Sequence, residues 1–144
     1  TATATTTALV ALRAPNELET ALDAVKAKTA IRLERVAGLH LAADTVFRYW
    51  RDRMGKDPDR TRLDTKREAR LTARLRENDG DVSELLYAVD GALRDDWLMG
   101  RAANSVKKFN DVETIFRDRA QVEKLVETVR DRNGRHPFLE TISV

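Results

Sequence analysis

The sequence predicts an all-α fold, a compact bundle of five or six short-to-medium helices, and three observations carry that expectation. Helix formers such as Ala, Leu, Arg and Glu dominate, while only six glycines and three prolines break 144 residues. Apolar residues recur at three- and four-residue spacing in successive stretches. Cap-like residues precede these stretches, several with Glu or Gln three positions on, as in Asn16/Glu19, Asp81/Glu84, Asn110/Glu113 and Asp118/Gln121. The length suits one domain, or one domain with an appendage, large enough to bury a core. The absence of cysteine excludes disulfides and thiolate metal sites and points to a reducing compartment. No apolar run approaches the ~20 residues of a membrane span.

Residues 1–14, rich in Thr and Ala, read as a disordered or linker-like segment, and an opening Thr rather than Met suggests a product of a longer chain. Residues 15–133 are expected to form the bundle, and 134–144 a loosely held tail from which Phe138, Leu139 and Ile142 could clip onto it. A first helix over 16–37 carries a stripe of Leu18, Leu22, Val25, Thr29, Leu33 and Val36, read as a core-packing seam, and Gly38 supplies a stop. The second helix, 41–54, places Val46, Trp50 and Met54 inward, with Phe47 and Tyr49 partly so. After the polar loop 56–62, Asp64 caps a third helix, 64–78, with Leu71 and Leu75 facing the core. A fourth, 82–96, presents Leu85, Leu86, Ala88, Val89, Ala92 and Leu93 as a broad face. Gly91 within it costs about 1 kcal/mol relative to Ala, which close approach of a neighbouring helix would explain. Asn110 is read as the cap of a fifth helix, 111–117, and Asp118 as the cap of a last one, 119–132, closed by Gly134. One core is expected from Trp50, Leu71, Leu75, Leu85, Val89, Leu93, Ile115, Phe116 and Leu125.

The net charge of +2 conceals a block over 48–76 at +6 beside one over 77–99 at −6. Such adjacency concerns partners, or complementarity within or between chains, rather than fold. Arg67, Arg70 and Arg74 form a cationic stripe on the third helix, with Arg60 and Arg62 at its entrance. Arg101, Lys107 and Lys108 stand in a polar, basic loop. These eight are the candidate DNA-binding residues, since a cluster of this kind neutralises phosphates without reading sequence. Asp90, Asp95, Asp96 and Trp97 are the candidate partner-binding residues.

Chemistry beyond binding is not expected. His40 and His136 are isolated in sequence, so no metal set assembles. Asp79-Gly80-Asp81 lacks the remaining positions of a calcium loop, and Met54-Gly55-Lys56 is no phosphate loop. Asp95 and Asp96 have no recognisable nucleophile or oxyanion donor beside them. The sequence therefore argues against an enzyme and implies no cofactor and no metal.

The run from Phe47 to Val126, about eighty residues, carries an ordered series of segments: Trp50 in an aromatic helix, a basic Arg70–Glu77 helix, and Leu85–Gly91 followed by Asp96, Trp97 and Gly100. Phe109, Asp111, Ile115, Phe116, Arg117, Asp118, Val122 and Glu123 complete the series. In this order the chain resembles the C-terminal domain of phage and prophage replication proteins of the replisome-organiser or initiator type. The resemblance implies work on phage or mobile-element DNA in the cytoplasm of a bacterial host. Its implied partners are DNA, single- or double-stranded, and a replicative helicase or its loader, with no membrane. The family's upstream helix-turn-helix domain has no room in residues 1–14, so the chain reads as a truncated piece or a stand-alone relative of that family. Two other readings stand beside this one. In the first, a transcriptional regulator uses the third helix for recognition; in the second, a structural homo-oligomer pairs through the first helix.

Overall fold

The structure is a computed structural model that describes residues 15–142, so the linker-like reading of 1–14 lies outside the described residues. Among the described residues six helices follow in order: α1 (Pro15–Arg53), α2 (Thr65–Glu77), α3 (Val82–Arg94), α4 (Val112–Ile115), α5 (Arg119–Glu127) and α6 (Phe138–Thr141). Among the described residues there is no strand, only an isolated antiparallel bridge between Ala102 and Ser105. The fold is all-α. No helix among the described residues is long and apolar enough to cross a membrane.

The chain comprises two units, Thr1–Gly38 and Leu39–Val144. In the first, α1 carries the expected stripe, but Leu18, Leu22, Val25, Leu33 and Val36 are 46–64% exposed rather than packed as a core seam. Residue spacing defines a face; it does not supply anything to cover it. Asn16, read as a cap, lies inside the first turn, where its carbonyl accepts from the Thr20 hydroxyl at 2.8 Å.

The separate helices expected over 16–37 and 41–54 are one helix. Gly38 does not end it: its φ is not left-handed, and a Cβ placed on it would meet no atom within 4 Å. A single Gly costs about 1 kcal/mol in a helix, and the good helix formers flanking it offset that cost.

The second unit holds the core. Ala43, Val46, Phe47 and Trp50 of α1 are buried in one cluster with Leu71 and Leu75 of α2 and Leu85, Ala88, Val89 and Ala92 of α3. Val112, Ile115 and Phe116 from α4 and its end join Val122 and Leu125 of α5. Eight of the nine expected core residues are there. Leu93 is the exception: it is half-buried and stands outside the cluster, one position past the inward-facing Ala92. Leu98, which has no helical pattern to announce it, is buried in its place among the core residues.

Side-chain caps set most helix starts. Asp64, Asp81 and Asp118 accept from the backbone N–H groups of Arg67, Glu84 and Gln121, satisfying donors that lack an intrahelical partner. For α4 the cap is Asp111, which accepts from the Thr114 N–H at 3.1 Å, and not Asn110. Asn110 is drawn inside instead: its carbonyl takes the Trp50 indole N–H at 2.8 Å, satisfying a donor that burial would otherwise orphan.

The last long helix ends at Glu127, five residues short of the expected boundary. The Thr128 hydroxyl bonds the Leu125 carbonyl, and the Arg132 guanidinium takes the carbonyls of Glu127 and Val129. These side chains offer the terminal carbonyls partners that further helix would have supplied.

α3 packs most extensively against α5, and Gly91 is where they touch. A Cβ at Gly91 would stand 1.9 Å from the Leu125 carbonyl oxygen, so only glycine admits this approach.

The tail is not loose over its described part. His136 is buried and Phe138 and Leu139 pack on the core, although Ile142 stays exposed.

Candidate nucleic-acid interface

Beyond α3 the chain makes a compact loop that the helices hold at both ends. Asp95 closes α3 and its carboxylate accepts from the Leu98 N–H at 2.9 Å, turning the chain so that Leu98 enters the core. The Leu98 carbonyl then takes the Phe109 N–H at 2.8 Å, so the two ends of the loop are bonded to each other. Gly100, at φ +72°, lies so close to the Val106 carbonyl that a Cβ would come within 2.6 Å of its oxygen.

This closure brings Trp97 onto Phe109, ring centroids 4.3 Å apart and planes 8° from parallel. Trp97 remains 49% exposed, whereas Trp50 is 1% exposed. Lys107 places its ammonium 5.3 Å from the Phe109 ring, and Val106 beside it is 84% exposed. Arg101 pairs with Asp96 at 3.0 Å and donates to the Leu93 carbonyl at 2.8 Å. Lys108 is exposed. The result is an aromatic shelf with one ammonium over it, on a loop that also carries Arg101 and Lys108.

Asn110 joins this loop to the basic connection between α1 and α2. Its side-chain oxygen accepts from Lys56 at 3.4 Å. Arg60, paired with Asp57 at 3.7 Å, and Arg62 are exposed on that connection. The structure thus brings Arg101, Lys107, Lys108 and Trp97, expected to serve different partners, into one loop.

The α2 stripe is a different matter. Arg67 lies over Trp50 at 5.7 Å, pairs with Asp64 at 3.2 Å and donates to the Arg62 carbonyl at 2.9 Å. Arg74 is paired with Glu77 at 2.9 Å and is only 13% exposed in its side chain. Arg70 is exposed but donates to the Arg117 carbonyl at 3.1 Å. Helical spacing aligned these three correctly on one face, yet the fold turns that face partly against its own carboxylates and carbonyls. On α2, Lys66 and Arg76 are exposed like Arg70, whereas Arg67 and Arg74 are part-buried.

The acidic segment is likewise answered within the chain. Glu84 receives a two-pronged bond from Arg119, one arm at 2.7 Å. Burial works to raise the Glu84 carboxyl, but the bonds from Arg119 and Asn78 outweigh it and hold the group below the usual range. Asp90, read as a partner-binding residue, accepts from the Tyr49 hydroxyl and bonds His136 Nε2 at 2.7 Å.

His136 is the residue that sequence reasoning missed. Its Nδ1 accepts from the Phe138 N–H at 3.1 Å, which leaves Nε2 as the protonated nitrogen donating to Asp90. Its own backbone N–H donates to Ser83 at 3.0 Å, and its ring meets Tyr49 and Tyr87 at centroid distances of 5.0 and 4.6 Å. Burial, reinforced by the Asp90 bond, pushes the Tyr49 hydroxyl well above its ordinary range, and burial also raises the Tyr87 hydroxyl. A cavity of about 540 Å³ beside this cluster is lined by Tyr49, Asp90, His136 and the arginines 53, 94 and 130. The bonds within the cluster anchor the tail. Only the position of His136 just before Pro137 and an apolar Phe-Leu pair could have suggested a docked segment.

His40 is exposed and bonds Glu68 at 2.6 Å, a contact that raises its imidazole above the ordinary value. Among the described residues no group of three or more His, Asp or Glu side chains is disposed to hold a metal ion.

Fold and site together define a small all-α domain with an exposed aromatic shelf set among cations. No protein-family model, no curated protein and no solved structure matches the chain.

Proposed function

We propose that this protein is a non-enzymatic accessory module of phage or mobile-element DNA replication. It binds DNA without sequence preference and engages a replisome protein, a helicase or loader, in the cytoplasm of a bacterial host. The replication context rests on the resemblance of residues 47–126. The DNA-binding part rests on one observation, the Trp97–Phe109 stack with the exposed Trp97 and the Lys107 ammonium over Phe109, on a loop that also carries Lys108 and Arg101. Bases stack on aromatic side chains for about 1–3 kcal/mol each, and every base has a face to offer, so such a shelf favours single strands and tolerates sequence. A duplex offers its phosphates but keeps its base faces stacked.

The regulator reading is less well supported. The connection from Met54 to Asp64 exceeds the three- or four-residue turn of a helix-turn-helix, and α2 spends Arg67 and Arg74 on its own fold.

The test is a fluorescence titration with oligo-dT and with a duplex over a salt series. Trp97 should report binding by quenching, and Lys107→Ala/Lys108→Ala should flatten the log–log salt slope for single strands by about 1.4. Trp97→Ala should weaken single-strand binding about tenfold or more while the domain stays folded, its melting temperature lower by only a few degrees for the lost Phe109 stack. Absence of binding to either DNA at low salt would remove the reading.

A further inference from the structure

We infer that residues 16–38 of α1 are a self-association helix that pairs antiparallel with the same segment of a second copy. The apolar side chains Leu18, Leu22, Val25, Leu33 and Val36 follow one another at spacings of three and four, with Thr29 between, and all are exposed. A stripe of this pattern is what helices bury against one another in a coiled coil. Among the described residues nothing shields it.

Charge decides the occupant and its direction. Residues 15–23 hold Glu17, Glu19 and Asp23 and no cation, a charge of −3. Residues 24–38 hold Lys26, Lys28, Arg32 and Arg35 against Glu34, a charge of +3. A second copy running parallel would set acidic half against acidic half and basic against basic. Running antiparallel with Leu18 opposite Val36, it sets Glu17, Glu19 and Asp23 against the stretch that holds Arg32 and Arg35, while Lys26 and Lys28 meet their counterparts at the centre. Like charges side by side disfavour the first arrangement, and opposite charges promote the second. Unlike charges at both ends thus favour the antiparallel direction, with Leu18 of one copy near Val36 of the other. Self-pairing would give each assembly two copies of the basic shelf, and it takes place whether or not that shelf binds DNA.

The chain has no cysteine, so introduced thiols report orientation without background. Leu18 and Val36 stand about 27 Å apart along a helix. In an antiparallel pair, Leu18→Cys alone therefore cannot form a disulfide across the dimer, whereas an equimolar mixture of Leu18→Cys and Val36→Cys protein should cross-link as the mixed dimer under mild oxidation. Light scattering on the unmodified protein should give twice the chain mass, and Leu22→Glu/Val25→Glu should return it to one chain with its circular dichroism melt largely preserved. Self-cross-linking of Leu18→Cys would overturn the orientation. A single-chain mass across micromolar concentrations, with no mixed disulfide, would overturn the pairing altogether.

Discussion

Replacing Gly91 with Ala tests the packing of the second unit at its closest point. The new Cβ would lie 1.9 Å from the Leu125 carbonyl oxygen and 2.6 Å from its carbon, while real Cβ atoms keep at least 3.0 Å. The obstacle is helix backbone, so α3 and α5 must part by about 1.1 Å at this level. A radial gap of that size forfeits a quarter to a half of the dispersion energy of the atoms it separates. Leu85, Val122 and Leu125, all fully buried, belong to the cluster that would be opened.

Overpacking of this kind costs typically 1–3 kcal/mol, and the upper end applies where backbone rather than a flexible side chain must move. Ala is the better helix former by about 1 kcal/mol, which offsets part of the strain. A net loss of about 2 kcal/mol is therefore expected, or a fall of roughly 6–10 °C in Tm for a domain of this size. Gly38→Ala is the control, because its Cβ meets nothing within 4 Å; it should stabilise by up to about 1 kcal/mol. Urea and thermal melts followed by circular dichroism measure both. A Gly91→Ala protein as stable as its parent, or more so, would refute the close approach.

Val89→Asp should unfold the second unit, since Val89 is fully buried and an unpaired carboxylate there has no partner; circular dichroism at 25 °C would show the loss of helix. Glu84→Gln should lower stability near neutral pH by about 1 kcal/mol by weakening the Arg119 bond. Because the folded carboxyl titrates below its unfolded value, that contribution exists above the unfolded pKa and fades as pH falls through the folded one. Parent and variant denaturation midpoints should therefore converge in acid. Arg67→Ala should destabilise measurably, as it removes a cation stacked over Trp50, while Lys66→Ala on the same helix should be close to neutral in a urea melt. In an NMR titration the His40 imidazole should titrate lower once Glu68 is replaced by Gln.

What the sequence determined by itself was local. The caps at Asp64, Asp81 and Asp118 rest on a side chain meeting a backbone N–H three residues away, a contact that needs no tertiary partner. The inward positions of α2 and α3 follow from helical periodicity, which is why Leu71, Leu75, Leu85 and Val89 are legible without the fold. Gly91 is legible too, since a costly residue inside a helix asks for a neighbour.

Tertiary structure decided the rest. Whether an apolar stripe is covered depends on elements distant in sequence, so the face of Leu18 to Val36 reads like a core seam and is exposed. Whether an arginine faces solvent or a carboxylate depends on what the neighbouring segments present, so Arg67 and Arg74 turn inward while Lys107 and Lys108 do not. Trp97 and Phe109 lie on opposite limbs of a loop, and only its closure stacks them. His136 meets Asp90 across 46 residues. Periodicity carries no information over that distance; the pairing exists because burial leaves each polar group no better partner.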